Sequence, residues 1–209
     1  MRLRQRLPLI PLVLAIALAA GACTVPSPAP SEKTIAQQLL SDTGDNAAGF
    51  DDDWYDFDIA TQAVLLFPDL VDAASNPEAS LTVFLPNDRA FQALVYSLTG
   101  NVVDSEEGVF NAVASLGTDT VKTVLTYHIV GSKIAAKDAL AANGAELTTL
   151  QGGKIKVEVR NPALNWIILQ DQDPNADDPG VVQSKFNYGG ALKNGYIHGI
   201  SLVLRPADL

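Results

Sequence analysis

The chain has few of the side chains on which cross-linking, metal binding and acid–base catalysis depend. Among its 209 residues there is one cysteine, Cys23, and there are two histidines, His128 and His198. A single cysteine permits no disulfide within the chain and no cluster of thiolate ligands. A chain of this length forms one ordinary domain, which can bury a sufficient apolar core without disulfides or metal.

Basic residues are also few, and no cluster of them stands out beyond the first residues. The 14 lysines and arginines are outnumbered by 24 acidic residues, which gives a formal charge of −10. The first 22 residues contribute +3 of this charge and no acid, so that the remainder carries −13. An acidic surface argues against nucleic acid and against anionic lipid headgroups as partners.

The apolar run at the N-terminus is too short to cross a membrane. It occupies residues 7–20 and follows Arg2, Arg4 and Arg6, whereas a spanning helix requires about 20 apolar residues. Positive residues followed by a short apolar core and small residues are typical of a secretory signal. We therefore predict a signal peptide over residues 1–22.

The residues that follow resemble a bacterial lipobox, Ala20-Gly21-Ala22-Cys23, with alanine at the position where leucine is usual. This resemblance implies lipid attachment at Cys23 and an exported lipoprotein at the cell surface or in the periplasm. An ordinary cleaved signal followed by a free thiol remains the alternative. Residues 23–31 are rich in proline and serine, and we predict that they form an extended tether.

Residues 32–56 form an acidic extension before the domain. A short helix is predicted over residues 31–40, with Ser31 as its cap. Residues 51–58 combine five aspartates with three aromatic rings. We interpret them as an acidic surface loop whose Trp54 and Phe57 plug into the domain edge, and an exposed contact for sugar or protein is the alternative.

Residues 81–91, LTVFLPNDRAF, are the centre of the domain. The first five are typical of a strand, and the lack of alternation predicts that both faces are covered. Pro86 ends the strand because it has no N–H to donate to a neighbouring strand. Asn87 or Asp88 can then cap a helix that begins at Arg89.

The remaining pattern predicts helices first and strands last. An apolar periodicity over residues 58–74 predicts a helix that breaks at Phe67 and Pro68. Further helices are predicted from Thr118 and over residues 137–142. The predicted strands cover residues 146–150, 154–160, 166–169, 181–186 and 196–204. This order is typical of the α+β class, with a small sandwich or wedge of strands flanked by helices.

Three stretches, in this order, resemble the signatures of the fasciclin-type adhesion domain: residues 81–91, residues 126–130 (TYHIV), and residues 194–200 (NGYIHGI) followed by Leu204-Arg205-Pro206. The resemblance covers about residues 57–206, and we place the domain at 57–209. It implies a twisted β-wedge flanked by helices and a role in adhesion. With the export segment, the chain is similar to the mycobacterial surface lipoproteins that carry this domain.

The resemblance also implies roles for single residues. Tyr127 and His128 fall in the Tyr-His box, which the family places on a strand and which is implicated in partner binding in animal relatives. Asn87 and Asp88 correspond to the polar pair after the first strand, which we interpret as structural caps.

The two histidines are the main candidates for chemistry. His128 and His198 each lie among apolar residues, and they could share a metal or act as acid and base. A histidine in such a context more often makes internal hydrogen bonds. We therefore predict a structural His198 that is buried and neutral, an absence of catalytic residues and no cofactor.

A loop near the C-terminus has oxygen-bearing side chains at alternate positions, Asp171, Asp173, Asn175 and Asp177, as a calcium loop does. It lacks the glycine expected at position six and the closing glutamate at position twelve, because Ala176 and Val182 stand there. We therefore predict no tight calcium site, and these four residues remain a weak metal candidate.

Together these features predict a monomeric cell-surface adhesion module that engages a protein or glycan partner and contacts the membrane only through its lipid. The alternative is a carrier or sensor that binds a small apolar or sugar ligand in a cleft between the helices and the wedge. An enzyme is a third and weaker alternative. No nucleic-acid partner is expected.

Overall fold

The computed structural model of the chain describes residues 30–41, 49–51 and 53–207. The predicted signal peptide, Cys23 and most of the predicted tether therefore lie outside the described residues. The helices are α1 Ile35–Leu40, α2 Asp58–Leu65, α3 Pro68–Ser75, α4 Asp88–Thr99, α5 Glu106–Ala114, α6 Thr118–Tyr127 and α7 Ala136–Ala141. None of the helices in this part of the chain is both long and apolar enough to cross a membrane.

The strands form two three-stranded sheets. They are β1 Leu81–Pro86, β2 Ile129–Val130, β3 Glu146–Thr148, β4 Lys154–Asn161, β5 Trp166–Gln170 and β6 Gly195–Ile200. In the first sheet β1 lies between β2, which is antiparallel to it, and β6, which is parallel. The second sheet is an antiparallel meander of β3, β4 and β5. The predicted α+β class, with helices mostly first and strands mostly last, is confirmed.

Strand β1 lies between the two hydrophobic cores of the domain. All six of its residues are buried, because successive side chains point to opposite faces and both faces are covered. Val83 and Leu85 pack in the core formed with the helices, whereas Phe84 packs in the core of the second sheet. The predicted burial of both faces of this strand is confirmed.

The breaks between helices follow the local chemistry. Pro68 is the first residue of α3, a position where the missing N–H costs nothing, and the predicted break at Phe67 and Pro68 is confirmed. Helix α4 ends at Thr99, and the next residue, Gly100, has a φ of 71°, in the left-handed region that glycine occupies without a steric penalty.

Three predicted boundaries are wrong. Helix α1 is capped by Thr34 and not by Ser31, because the Thr34 side chain accepts from the Gln37 amide and the Gln37 side chain accepts in return. Residues 181–186 form no strand: Val181 makes a single bridge to Ile200, and a 3-10 turn follows. The last strand ends at Ile200, where its partner β1 reaches Pro86, which has no N–H to continue the ladder.

Candidate functional site

The Tyr-His box lies at the end of a helix and in the interior. Tyr127 is the last residue of α6 and His128 is its C-cap, so the expected position on a strand is wrong, because β2 begins only at Ile129. The Tyr127 side chain is fully buried, and its hydroxyl donates to the Lys154 carbonyl at 2.7 Å. Burial raises the pKa of the Tyr127 phenol above its ordinary value.

His128 connects three parts of the domain. Its Nε2 accepts from the Leu204 amide at 2.9 Å, so its Nδ1 carries the proton and donates to the Val124 carbonyl at 2.7 Å. Burial lowers the pKa of His128 to about 4, because removal from water disfavours the charged ring. Both ring nitrogens of His128 are thus bonded inside the domain. Because Tyr127 and His128 are both buried, neither side chain is exposed for direct contact with a partner.

His198 is equally buried and is held by different groups. Its Nε2 lies 2.8 Å from the Ile134 carbonyl and donates to it, while its Nδ1 accepts from the Asn187 amide at 3.3 Å. The rings of Phe186 and Tyr196 pack around the imidazole. Burial lowers the pKa of His198 below its ordinary value. With both nitrogens occupied by backbone groups, His198 offers no lone pair to a metal or a substrate.

Asn87 and Asp88 cap two different helices. The Asn87 side chain accepts from the Ala90 amide at 2.9 Å and caps its own helix, α4. The Asp88 carboxylate instead accepts from the first two amides of α2, those of Asp58 at 3.1 Å and Ile59 at 2.8 Å. One polar pair after β1 therefore fixes how α2 and α4 meet.

Four buried carboxyl groups surround this junction, and we call Asp56, Asp58, Asp88 and Glu106 the acidic cluster. Oxygens of Asp56, Asp88 and Glu106 lie within 4.8 Å of one another. The interpretation of residues 51–58 as a surface loop is therefore wrong for Asp56 and Asp58. The sequence analysis missed the cluster. The signal that could have indicated it is an acidic residue at the first position of a helix, which occurs in three of the described helices.

Those three acids, Asp58, Asp88 and Glu106, are the first residues of α2, α4 and α5. Helix N-termini carry partial positive charge and unpaired N–H groups, and both favour carboxylates. Burial raises the pKa of Asp88 to about 9, with further contributions from a hydrogen bond to Asp56 and from the charges of Asp56 and Glu106. The cluster therefore retains a proton at neutral pH. All-oxygen ligands are also what hard cations such as calcium prefer.

In the loop with alternating oxygens, the carboxylates of Asp171 and Asp173 are bonded within the domain, whereas Asp177 is exposed. The Asp171 carboxylate accepts from the amides of Asp173, at 2.9 Å, and Arg205, at 2.7 Å. Asp173 accepts from the Asn175 amide and pairs with the Arg205 guanidinium at 3.4 Å, with its side chain fully buried. The charge that a calcium ion would supply to Asp173 thus comes from Arg205. Burial raises the pKa of Asp171 above its ordinary value.

An open cleft of about 480 Å³ lies between α4, this loop and the C-terminal segment. Its lining combines aliphatic side chains, which we call the floor, with five polar or charged residues, which we call the rim: Ser97, Asp173, Asn175, Asp177 and Arg205. The apolar residues that line the cleft are Ala90, Ala93, Leu94, Leu98, Ala176, Leu202 and Val203. The Ser97 hydroxyl accepts from Arg205 and donates to the Leu94 carbonyl, so Ser97 is not paired with a base that could activate it.

Comparison with known proteins agrees with this architecture. The family model described as "Fasciclin domain" matches residues 57–206. A solved FAS1 domain pair from the insect cell adhesion molecule fasciclin I is similar to the chain, with a TM-score of 0.58 and 18% sequence identity over 84% of this chain and 51% of that chain. The chain thus spans about half of that structure, and at this identity the likeness shows the fold alone. No curated protein matches the chain.

Proposed function

Because the chain belongs to the fasciclin domain family, we propose that it is a non-catalytic adhesion module that binds a protein or glycan partner at the cell surface. The fasciclin domain is a family of cell adhesion modules. The observation that carries the proposal is the family match over residues 57–206, which includes all six described strands and six of the seven described helices.

The site geometry supports binding without bond making or breaking. The ring nitrogens of His128 and His198 all form hydrogen bonds with backbone groups. The Ser97 hydroxyl is hydrogen-bonded to the Arg205 guanidinium and not to a base. By family resemblance Tyr127 and His128 contribute to partner binding. They do so indirectly in this proposal, because the Tyr127 hydroxyl holds β4 through Lys154 and thereby positions the outer face of the second sheet.

We further propose that the protein is a monomeric bacterial lipoprotein held at the outer face of a membrane. The supporting features are the basic and apolar segment of residues 1–22, the lipobox-like Ala20–Cys23 stretch and the proline-rich tether. A tether of this composition is extended and semi-rigid, so it would lift the binding domain clear of the lipid surface.

Retention of partners by the immobilised full chain tests the adhesion function. We expect saturable retention of a small set of secreted proteins or envelope glycans. The acidic surface predicts that this retention weakens at high salt, because exposed charges are screened. A chain unfolded by heat before immobilisation is the control. Retention by the native chain that does not exceed retention by the unfolded chain would contradict the proposal.

A carrier of small ligands is the second candidate, and the 480 Å³ cleft beside α4 is the observation that favours it. Its volume lies in the range of small-molecule sites. Native mass spectrometry of the purified full chain separates the two functions. A stoichiometric co-purified small molecule that an Ala93→Trp variant lacks would support the carrier, and its absence from both proteins would favour adhesion.

A further inference from the structure

We infer that the cleft beside α4, together with Asp177, receives a lysine side chain of a partner protein. The inference rests on the proposed function as a binding module, and it names the chemistry of the partner. The cleft combines an aliphatic floor, an acidic rim and one carboxylate that the described part of the domain does not use.

The floor fits a flexible aliphatic chain. It is lined by aliphatic side chains, including the half-exposed Ala93 and Leu98 of α4 and Leu202 of the C-terminal segment. None of the described residues that line the cleft is aromatic, so it offers no flat ring face for stacking a sugar or a planar ligand. A lysine side chain covers such a surface with its four methylene groups while its ammonium group stays at the wet rim.

The rim has the charge that an ammonium group requires. Asp171, Asp173 and Asp178 accept hydrogen bonds from backbone amides of the loop and of Arg205. The Asp177 carboxylate is exposed, lines the cleft and forms no hydrogen bond or ion pair with the described residues.

Arg205 does not repel such a cation strongly. Its guanidinium is paired with the fully buried Asp173 carboxylate and donates to Ser97, and only 15% of the Arg205 side chain is exposed. Two carboxylates, those of Asp173 and Asp177, therefore line the cleft beside one guanidinium, and Asp177 supplies the negative charge that Arg205 does not compensate. The formal charge of −10 on the whole chain adds a field that steers basic partners toward it.

A labelled peptide of alternating lysine and leucine is the probe, and its fluorescence anisotropy with the full chain measures binding. We expect the lysine–leucine peptide to bind and a glutamate–leucine peptide of equal length not to bind. Asp177→Asn should weaken binding about two- to fivefold, as loss of an exposed ion pair does. Ala93→Trp should weaken it about tenfold or more, because the indole fills the floor on which the aliphatic chain packs.

The matched controls are Asp119→Asn, which removes an equal charge from an exposed site on α6, and Ala93→Ser, which leaves the cleft open. Both should bind the peptide as the native chain does. Equal losses in Asp177→Asn and Asp119→Asn would overturn the inference, as would unchanged binding by Ala93→Trp. If the lysine site fails this test but the immobilised native chain still retains surface partners, only the lysine site is contradicted. If the native chain retains no partners, the adhesion function itself is contradicted.

Discussion

At the scale of single residues, each buried histidine fills space in the interior and forms hydrogen bonds with two backbone groups. His198 joins β6 to the segment before α7 through the Ile134 carbonyl, and it satisfies the Asn187 amide at the same time. Removing such a group leaves a cavity together with a buried carbonyl and a buried N–H that have lost their partner, and these two costs add.

We expect His198→Ala to lower the free energy of unfolding by about 1–3 kcal/mol. Urea denaturation of the full chain at pH 7 measures this change, with retained far-ultraviolet circular dichroism as the check on folding. A variant that unfolds at the same urea concentration as the native chain would show that His198 does not support the fold.

A second residue-scale device is the pair of Arg205 and Asp173. The guanidinium lies 3.4 Å from a carboxylate whose side chain is fully buried, and a buried charge of this kind must be paired. Calcium takes six to eight oxygens, and Asp171 and Asp173 use their carboxylates on backbone amides and on Arg205. Too few oxygens are therefore left in this loop to surround the ion.

Calcium titration by calorimetry should therefore show at most millimolar binding, the weak extracellular range. Asp173→Ala should leave this heat signal unchanged, because no tight site depends on that residue. Micromolar binding that disappears in Asp173→Ala would mean that the loop is a calcium site after all and that adhesion depends on calcium.

At the scale of elements, the acidic cluster is where α2, α4 and α5 begin. Asp88, the first residue of α4, accepts from the Asp58 and Ile59 amides at the start of α2. Glu106, the first residue of α5, accepts from the Asp51 amide, in the segment before α2, at 3.1 Å. Helix N-termini lower the cost of burying these carboxylates, but the proximity of the carboxylates to one another favours a shared proton.

The pH dependence of stability follows from the direction of this pKa shift. The pKa of Asp88 rises from an ordinary 3.8 to about 9 in the fold, so between these values the folded chain holds a proton that the unfolded chain has released. Stability from this group is fully present below pH 3.8 and is lost as the pH rises toward 9. The buried histidines act oppositely, since their lowered pKa values remove stability only below about pH 6.5.

Asp88→Asn should therefore flatten the loss of stability between pH 7 and pH 9, where the histidines contribute little slope. The native chain should lose up to about 1.4 kcal/mol per pH unit from this group in that interval. At pH 5 the variant should be less stable by about 1 kcal/mol, because the amide can accept only one of the two α2 amides.

Asp119→Asn on the exposed surface of α6 is the control with the same change in charge, and it should keep the native slope. Thermal unfolding at a series of pH values measures all three proteins. Parallel curves for Asp88→Asn and the native chain would show that Asp88 does not carry the shared proton.

At the scale of the whole molecule, the proposed lipid anchor at Cys23 would hold the domain at a membrane surface. If Cys23 is acylated, we expect the native protein to partition into the detergent phase on phase separation. Cys23→Ser should release it to the aqueous phase, because the acidic domain gains little from an anionic lipid surface by itself. Native protein recovered wholly in the aqueous phase, with an unmodified N-terminus at Thr24 or beyond, would contradict the anchor.

Much of the fold could be predicted because its signals are local. Strand composition in residues 81–85, the break at Phe67 and Pro68 and the alternation along β4 each depend on neighbours within one element. The missed boundaries depend on partners elsewhere: β6 stops at Ile200 because Pro86 lies opposite it.

The candidate site divides in the same way. The sequence shows which residues are polar and which stand among apolar neighbours, and that was sufficient to expect structural roles for Asn87, Asp88 and His198. It does not show that the Asp88 carboxylate binds the amides of another helix 29 and 30 residues away, nor that Arg205 neutralises Asp173.

The sequence by itself determined the class, the family and the order of elements, since periodicity, turn residues and spaced motifs are properties of neighbouring positions. Only the tertiary structure decided that four acids are buried together where three helices begin, that Tyr127 and His128 are interior, and that Asp177 is exposed at the rim of the cleft beside α4. Burial and charge pairing are set by contacts between residues distant in the chain, and a linear pattern specifies them only through the fold it produces.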